Sequence, residues 1–516
     1  MSPLQLAVFG GVLALLIHKF FIKPHFSPNR HLPAPVQGPA RKRLFVEPTR
    51  DQLTDWANEI PNDGFIRYYG LLNIEKILVT DPKAAHEIFA GNPYSYIKPP
   101  PITKIIKALL GDGLIVVEGD AHKAQKKIFQ PAFKVRQLND LCAVFEAKAR
   151  ELLVTVDKDN NGFSSKDKDA TVDLGTYLHR ATLDVIGFAG FGLDFNCLKD
   201  PENQLATDYA QGFNPSPSAR KYRLLALVLP GWLLDHLPLK RNQDLRATVA
   251  AVRRSTGEMI EERGARIDAG KTTDEDNKDI IGTLMAHGGV RDKESLINQS
   301  MTILGAGHDT VHFAISSAIW EMCKNPKIQQ RLRAEVREHL HLRGQKSISE
   351  KEAGDIDIDN LPYLQAVVNE TLRLHHSVPT MYRRSIEPTV VAGTAFPKGT
   401  NFIFPLKAYN VSSKFWKSDP TVFNPERWVE DPALGGAADR KAFMTFSTGA
   451  RHCIGEKFGR LELKHLLAGL IGSYNMTWAG TGEDGKSQEM VLEHGITSKM
   501  IGSLHVKMEP LGGWEF

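Results

Sequence analysis

The chain has little cysteine, and what it has is not arranged as a framework. Cys142, Cys197, Cys323 and Cys453 are its four cysteines in 516 residues, with no Cys-x-x-Cys pair and no Cys/His spacing among them. That excludes a zinc ribbon, makes a disulfide scaffold a poor fit, and suits a reducing compartment. No block of lysine and arginine interleaved with aromatics occurs, and the net charge is only +4, so nothing points to nucleic acid. No Gly-x-Gly-x-x-Gly follows a strand pattern, which leaves no flavin or nicotinamide fingerprint. Internal repeats, low-complexity tracts and long flexible linkers are missing too. Hydrophobic content of 42% and charged content of 24% are those of an ordinary globular protein.

One long apolar run is present. Residues 4–22 are apolar apart from Gln5, His18 and Lys19, and about 19 residues are enough to cross a bilayer as a helix. No positive n-region precedes the run and no small-residue cleavage site follows it, so a cleaved signal peptide fits poorly. Lys19, Lys23, Arg30, Arg41, Lys42 and Arg43 cluster at its C-terminal side, which places the bulk of the chain in the cytosol. The expectation is a membrane anchor helix over 1–23. A proline-rich tether over 24–40 follows, with Pro24, Pro28, Pro33, Pro35 and Pro39 making it stiff and extended. One large domain is expected over 41–516.

Alternation in residues 65–69 and 76–79 predicts a β-hairpin, and Asp81-Pro82 opens a helix by cap and proline rules. From Lys123 onward the pattern is helical, broken at the polar stretches 157–169, 270–279, 431–439 and 479–488. Strand-like text is confined to the early hairpin, to 389–391 with 401–405, and to the last forty residues. The fold class expected is mainly α, with small β-sheets on one side and a single N-terminal transmembrane helix. Residues 224–239 are apolar but broken by Pro230, Gly231 and Pro238. They fit a core helix pair and equally a lid that dips into a bilayer surface.

Three stretches carry chemistry. In Phe446-Ser447-Thr448-Gly449-Ala450-Arg451-His452-Cys453-Ile454-Gly455 one cysteine sits between two glycines that free the backbone to turn or lie flat. Positive charge from Arg451 favours thiolate, and a thiolate on such a loop can hold haem iron. An inert buried cysteine fits the loop equally well. Residues 292–324 read as one long helix interrupted by Leu304-Gly305-Ala306-Gly307-His308-Asp309-Thr310. Each interior glycine costs ~1 kcal/mol against alanine, so the pair implies either helix–helix contact or a flat ligand close by, with a bulge at Asp309 and Thr310. A threonine bonding back to a carbonyl is the commoner fate of such a residue. Glu370 and Arg373 share a face of a helix over 361–375, pointing away from its apolar stripe, and so read as a solvated pair unless Arg427 covers them.

Taken together, these stretches resemble the cytochrome P450 family, in its membrane-bound eukaryotic, fungal style, from the anchor to the last strands. The family's haem loop Phe-x-x-Gly-x-Arg-x-Cys-x-Gly falls on Phe446, Gly449, Arg451, Cys453 and Gly455. Its Glu-x-x-Arg pair falls on Glu370 and Arg373 with Arg427 as third member, and its oxygen-activating helix motif on 306–311. The resemblance implies haem b with Cys453 as the axial thiolate. Ala306 and Gly307 would lie against the haem, and His122, Lys126, Arg383 and Arg451 would serve its propionates. Val311 replaces the motif's second hydroxyl, leaving Asp309 and Thr310 as the proton-delivering pair. His308 would contact substrate or a neighbouring helix; His376 stands where many relatives have proline.

The resemblance also implies a monooxygenase that uses O2, with a thiolate that favours O–O cleavage. Electrons would come from NADPH through a partner cytochrome reductase with an acidic docking face, met by Arg451, Lys457, Arg460 and Lys464. Together with the anchor it implies a single-pass protein of the endoplasmic reticulum membrane with its catalytic domain in the cytosol. The segments that line the substrate site in the family are apolar here, including Ile102, Ile105, Ile106, Leu109 and Leu114, which suits a lipophilic substrate. A terpenoid, polyketide or alkaloid of secondary metabolism fits, as do a fatty acid and a xenobiotic. A reductase-independent haem-thiolate isomerase is the alternative, and Asp309-Thr310 counts against it. A non-catalytic haem sensor or carrier would need the thiolate and not that pair. Sequons at Asn298, Asn369, Asn410 and Asn475 would carry no glycan in the cytosol.

Overall fold

A computed structural model describes residues 10–11, 14, 18–22, 26–39, 43, 46–160, 171–203, 207, 240–269, 279–288, 292–340, 358–480, 490 and 492–514. Most of the expected anchor and the whole of 224–239 lie outside these residues. Among the described residues no helix is long and apolar enough to cross a membrane. In chain order the strands are β1 (Phe65–Tyr69), β2 (Glu75–Val79), β3 (Tyr96–Ile97), β4 (Thr171–Asp173), β5 (Thr380–Ser385) and β6 (Thr389–Val391). They continue with β7 (Thr394–Phe396), β8 (Asn401–Pro405), β9 (Tyr474–Trp478), β10 (Leu492–His494), β11 (Ser498–Met500) and β12 (His505–Pro510). Helices dominate the rest, as the sequence predicts.

The chain forms two compact units, each drawn from separate segments. The first takes residues 1–100, 378–422 and 433–453; the second takes 101–377, 423–432 and 454–516. A five-stranded sheet in the order β1-β2-β8-β5-β3 organises the first unit. The predicted hairpin is there, Phe65 opposite Val79, and β2 runs parallel to β8 with Ile77 opposite Phe402. Both strand-like stretches, 389–391 and 401–405, are strands: β6 pairs with β7, Thr389 opposite Phe396, while β8 lies between β2 and β5. One face of the large sheet buries Phe65, Ile77, Val79, Phe402 and Phe404 with Ile88 and Phe89. The other buries Ile66, Tyr68, Leu78 and Ile403 against Leu53 and Ala57, so alternate residues of one strand serve two cores. Asp81 caps the Pro82–His86 helix by accepting from the Lys83 N–H.

The second unit is built around one helix, Lys293–Lys324. Asp292 caps it through the Ser295 N–H, and it ends at Asn325 before Pro326. It packs on the Leu174–Phe191, Lys240–Asp268 and Glu456–Ser473 helices. Twenty-one of its residues are buried, which is why its apolar pattern runs all round instead of forming a stripe. A three-stranded sheet, β4-β12-β9, and the β10-β11 hairpin complete this unit. Two of the four sequon asparagines, Asn369 and Asn410, are buried.

Candidate functional site

The cysteine loop belongs to the first unit. Its turn is set by two left-handed residues, Ser447 (φ 62°) and Gly449 (φ 67°), and closed by the Cys453 N–H donating to the Phe446 carbonyl at 2.9 Å. Only glycine fits at 449. A Cβ there would lie 2.6 Å from Ala90 Cα and closer still to the Phe89 carbonyl oxygen. The close approach that Gly449 permits is therefore to the 87–91 turn. Phe89 in turn carries the Arg383 guanidinium 4.6 Å above its ring, and Arg451 lies over Tyr94 at 5.2 Å. Arg383 is buried on β5 and donates to the Tyr382 carbonyl at 2.7 Å. Arg383 thus lies on a ring of the turn that supports the loop, and Arg451 on a ring three residues beyond that turn.

The four cysteines differ in the way metal ligation requires. Cys453 is exposed, Cys142 half-buried, and Cys197 and Cys323 are buried. Burial pushes the Cys323 thiol up to about 12, and burial with the nearby Asp184 charge pushes Cys197 up further. Both are held as inert thiols. Cys142 donates to the Leu138 carbonyl one turn back in its helix. Cys453 alone among them combines an accessible sulfur with a rigid turn, and it fits haem iron.

The remaining expected residues lie in the second unit. The Lys293–Lys324 helix runs through Gly305–Thr310 without a break, so the expected bulge is corrected. The glycines have a packing reason. A Cβ on Gly307 would meet Ile186 Cδ1 at 2.6 Å, and one on Gly305 would meet Leu110 Cδ2 at 2.7 Å. Leu110 belongs to a small apolar cluster with Ile106 and Val116, flanked by Ile102, Leu109 and Ile115. Thr310 donates to the Ala306 carbonyl at 2.7 Å, and Ser377 donates to the Thr310 carbonyl at 2.8 Å. Burial alone would raise the Asp309 carboxyl. The Lys499 charge, the contact with His308 and the His312 charge together outweigh burial and hold the carboxyl well below the usual carboxylate range. His122 is buried, and Lys126 follows one helical turn later on the Gly119–Phe129 helix, so the two share a face. Gly455 precedes the Glu456–Ser473 helix, and among the described residues nothing is closer to its Cβ position than Phe133 at 3.8 Å.

The Glu370–Arg373 pair is not solvated. Both are fully buried, and Arg427 is 3% exposed. Glu370 accepts from Arg373 Nε and a second Arg373 nitrogen at 2.8 Å each, from Arg427 Nε at 3.0 Å, and from the Asn424 N–H at 2.8 Å. Trp428 Nε1 supplies a fifth bond at 2.9 Å. The expected basic landing patch is corrected. Lys464 is 1% exposed and paired with Asp359 at 2.6 Å, and Arg460 is turned to Glu456 and Asn369. Lys457 keeps its side chain partly in solvent. His376 is buried, and its carbonyl accepts from Ser498.

A mainly helical chain that presents one accessible cysteine on a glycine-hinged turn defines a haem-thiolate class of protein. A family model described as Cytochrome P450 matches residues 63–499, and the chain belongs to that family. It is similar to cytochrome P450 monooxygenase sphH of Aspergillus fumigatus, with 36% identity covering 98% of this chain and 93% of the relative. Cytochrome P450 monooxygenase FUM15 of Gibberella moniliformis shares 32% identity, covering 94% and 89%. ALT8 of Alternaria alternata, likewise a cytochrome P450 monooxygenase by name, shares 31%, covering 95% and 91%. The protein is an oxidoreductase of the monooxygenase type, with haem held by a cysteine thiolate as its cofactor.

Proposed function

We propose that Cys453 is the haem ligand and that the enzyme inserts one oxygen atom from O2 into a lipophilic secondary metabolite. Electrons come from NADPH through a separate membrane-bound reductase. The observation that carries the ligand assignment is the contrast among the cysteines: one exposed on a rigid turn, two buried as thiols, and one bonded within its own helix. Haem supplies the oxidising chemistry when bound. Phe446 and Gly449 shape the loop, Arg383 and Arg451 are the cations beside it, and His122 and Lys126 add donors on a separate helix face. Asp309, held ionised, and Thr310 handle protons, which favours oxygenation over isomerisation. The names of the fungal relatives, all monooxygenases, support oxygenation, and the apolar cluster around Ile106 and Leu110 supports a greasy substrate. The first 23 residues anchor the protein in the endoplasmic reticulum membrane with the catalytic part in the cytosol.

The experiment is reduction under carbon monoxide. The wild type should show the Soret band of a thiolate-ligated haem, and Cys453→Ser should lose it. A thiolate band that survives in Cys453→Ser would refute the assignment. With reductase, NADPH and a panel of a terpenoid, a polyketide, an alkaloid and a fatty acid, Thr310→Ala should consume NADPH with less product. Unchanged coupling would remove Thr310 from the relay.

A further inference from the structure

The cysteine loop rests on the segment that runs from Asp81 to Gly91. Asp81 caps the Pro82–His86 helix, and a wide turn of π type follows over Glu87–Gly91, a form that recurs at functional sites. Ile88 and Phe89 of this turn are buried in the same core as Met444, whose carbonyl accepts from the Ser447 N–H at 2.9 Å. Gly449 lets the loop lie directly on the Phe89–Ala90 backbone. That packing stops the loop from moving inward. Apolar contact is non-directional, so it does not fix the loop along the surface it rests on.

A directional contact comes from the residue before the glycine. Thr448 stands at the head of the Gly449–Arg451 turn, where a threonine commonly bonds back to an N–H of its own turn. It makes no such bond. Its Oγ1 lies 3.0 Å from Nδ1 of His86, 362 residues earlier in the chain. Both residues are half-buried. A hydroxyl donates and accepts, so it suits the imidazole nitrogen with or without its proton, and the contact needs no particular charge on the ring. From Thr448 to the cysteine the chain is short and tied to itself. The His452 N–H donates to the Gly449 carbonyl at 3.1 Å, and the Cys453 N–H to the Phe446 carbonyl at 2.9 Å. A displacement of Thr448 is therefore passed on to Cys453.

We infer that His86 is a positioning residue for the haem ligand: through Thr448 it holds the 449–453 turn in the placement that lets Cys453 serve as the thiolate. The role rests on Cys453 being that ligand. Haem held without its thiolate lacks the electron donation that favours O–O cleavage. A loop released from His86 therefore lowers turnover and leaves substrate affinity alone.

The experiment records the Soret bands of the reduced, carbon-monoxide-bound holoenzyme, well below its thermal transition. His86→Phe keeps a ring and removes the nitrogen. The ratio of thiolate-ligated to thiolate-free haem should then fall by roughly two- to tenfold, the shift that one net hydrogen bond makes in an equilibrium. Thr448→Val removes the hydroxyl at constant shape and should do the same, and the double variant should fall no further than either single one. His86→Asn sets an amide at the reach of Nδ1 and should restore the wild-type ratio. On whichever panel compound is oxidised, kcat should fall in step with the ratio while KM stays unchanged. An unchanged ratio in His86→Phe overturns the inference, even if thermal stability drops, because His86 then braces the fold and not the ligand. So do losses that multiply in the double variant, or a His86→Asn protein as impaired as His86→Phe. Survival of the thiolate band in Cys453→Ser refutes the ligand assignment instead, which tells the two failures apart.

Discussion

The indole Nε1–H of Trp428 donates at 2.9 Å to Oε2 of Glu370, which lies fifty-eight residues earlier in the chain. With Arg373, Arg427 and the Asn424 N–H it completes a set of donors around a carboxylate that has no solvent exposure. Removing one member of a buried charged network leaves the others uncompensated, at about 3–5 kcal/mol. Glu370→Ala should therefore abolish stable folding, read as loss of haem incorporation and of a cooperative thermal transition. Trp428→Phe removes one donor and keeps the ring, and should lower stability by only about 1–3 kcal/mol. Equal losses in the two variants would refute this ordering.

Gly449→Ala should be damaging for two separate reasons, a left-handed backbone and a Cβ 2.6 Å from Ala90 Cα. The conformation alone costs about 1–2 kcal/mol, and the neighbour is backbone that cannot swing aside. The expected outcome is weak haem retention after gel filtration. Gly455→Ala meets nothing closer than 3.8 Å among the described residues and should retain haem.

Gly307→Ala should destabilise by about 1–3 kcal/mol through overpacking on Ile186. Ile186→Val, which shortens the side chain toward the glycine, should recover part of the loss in the double variant. Strictly additive losses in thermal denaturation would show that the two sites are independent.

Glu462 on the Glu456–Ser473 helix is 1% exposed, and neither carboxylate oxygen has a hydrogen-bond partner among the described residues. Burial raises its carboxyl well above the ordinary value. Below the unfolded pKa of about 4.3 both states hold the proton and the group is neutral in its effect. As pH rises, the unfolded chain ionises first while the folded chain keeps its proton, so stability falls. Glu462→Gln should remove that slope. The Tm advantage of the variant over wild type is expected to widen between about pH 5 and 8. A constant difference across that range would contradict it.

Local signals in the sequence were reliable wherever the cause of the structure was itself local. Asp292 and Asn325 bound the long helix as the cap and proline rules require, and the early hairpin and the Pro82 helix follow from alternation and capping. Partners were another matter. Periodicity placed Glu370 and Arg373 on the polar side of their helix, and only tertiary packing shows that Asn424, Arg427 and Trp428 seal that side. Ile186 and Leu110 carry no sign that they fill the grooves beside Gly307 and Gly305. β5 went unpredicted because Arg383 and Arg384 interrupt its apolar text, although the strand lies inside the sheet. Lys464 read as a surface cation, and Asp359 draws it inward.

The parallel pairing of β2 with β8 bears on how the chain is born. Ile77 and Leu78 leave the ribosome more than three hundred residues before Phe402 and Ile403, the strand mates they need. At ordinary rates of synthesis that gap lasts on the order of tens of seconds, with an apolar sheet edge awaiting its neighbour. Long-range pairing of this kind is slow and exposed to aggregation. The first unit closes only when residue 453 has been made, so the cysteine arrives with the last piece of its own scaffold, and cofactor capture is an event of the nearly finished chain.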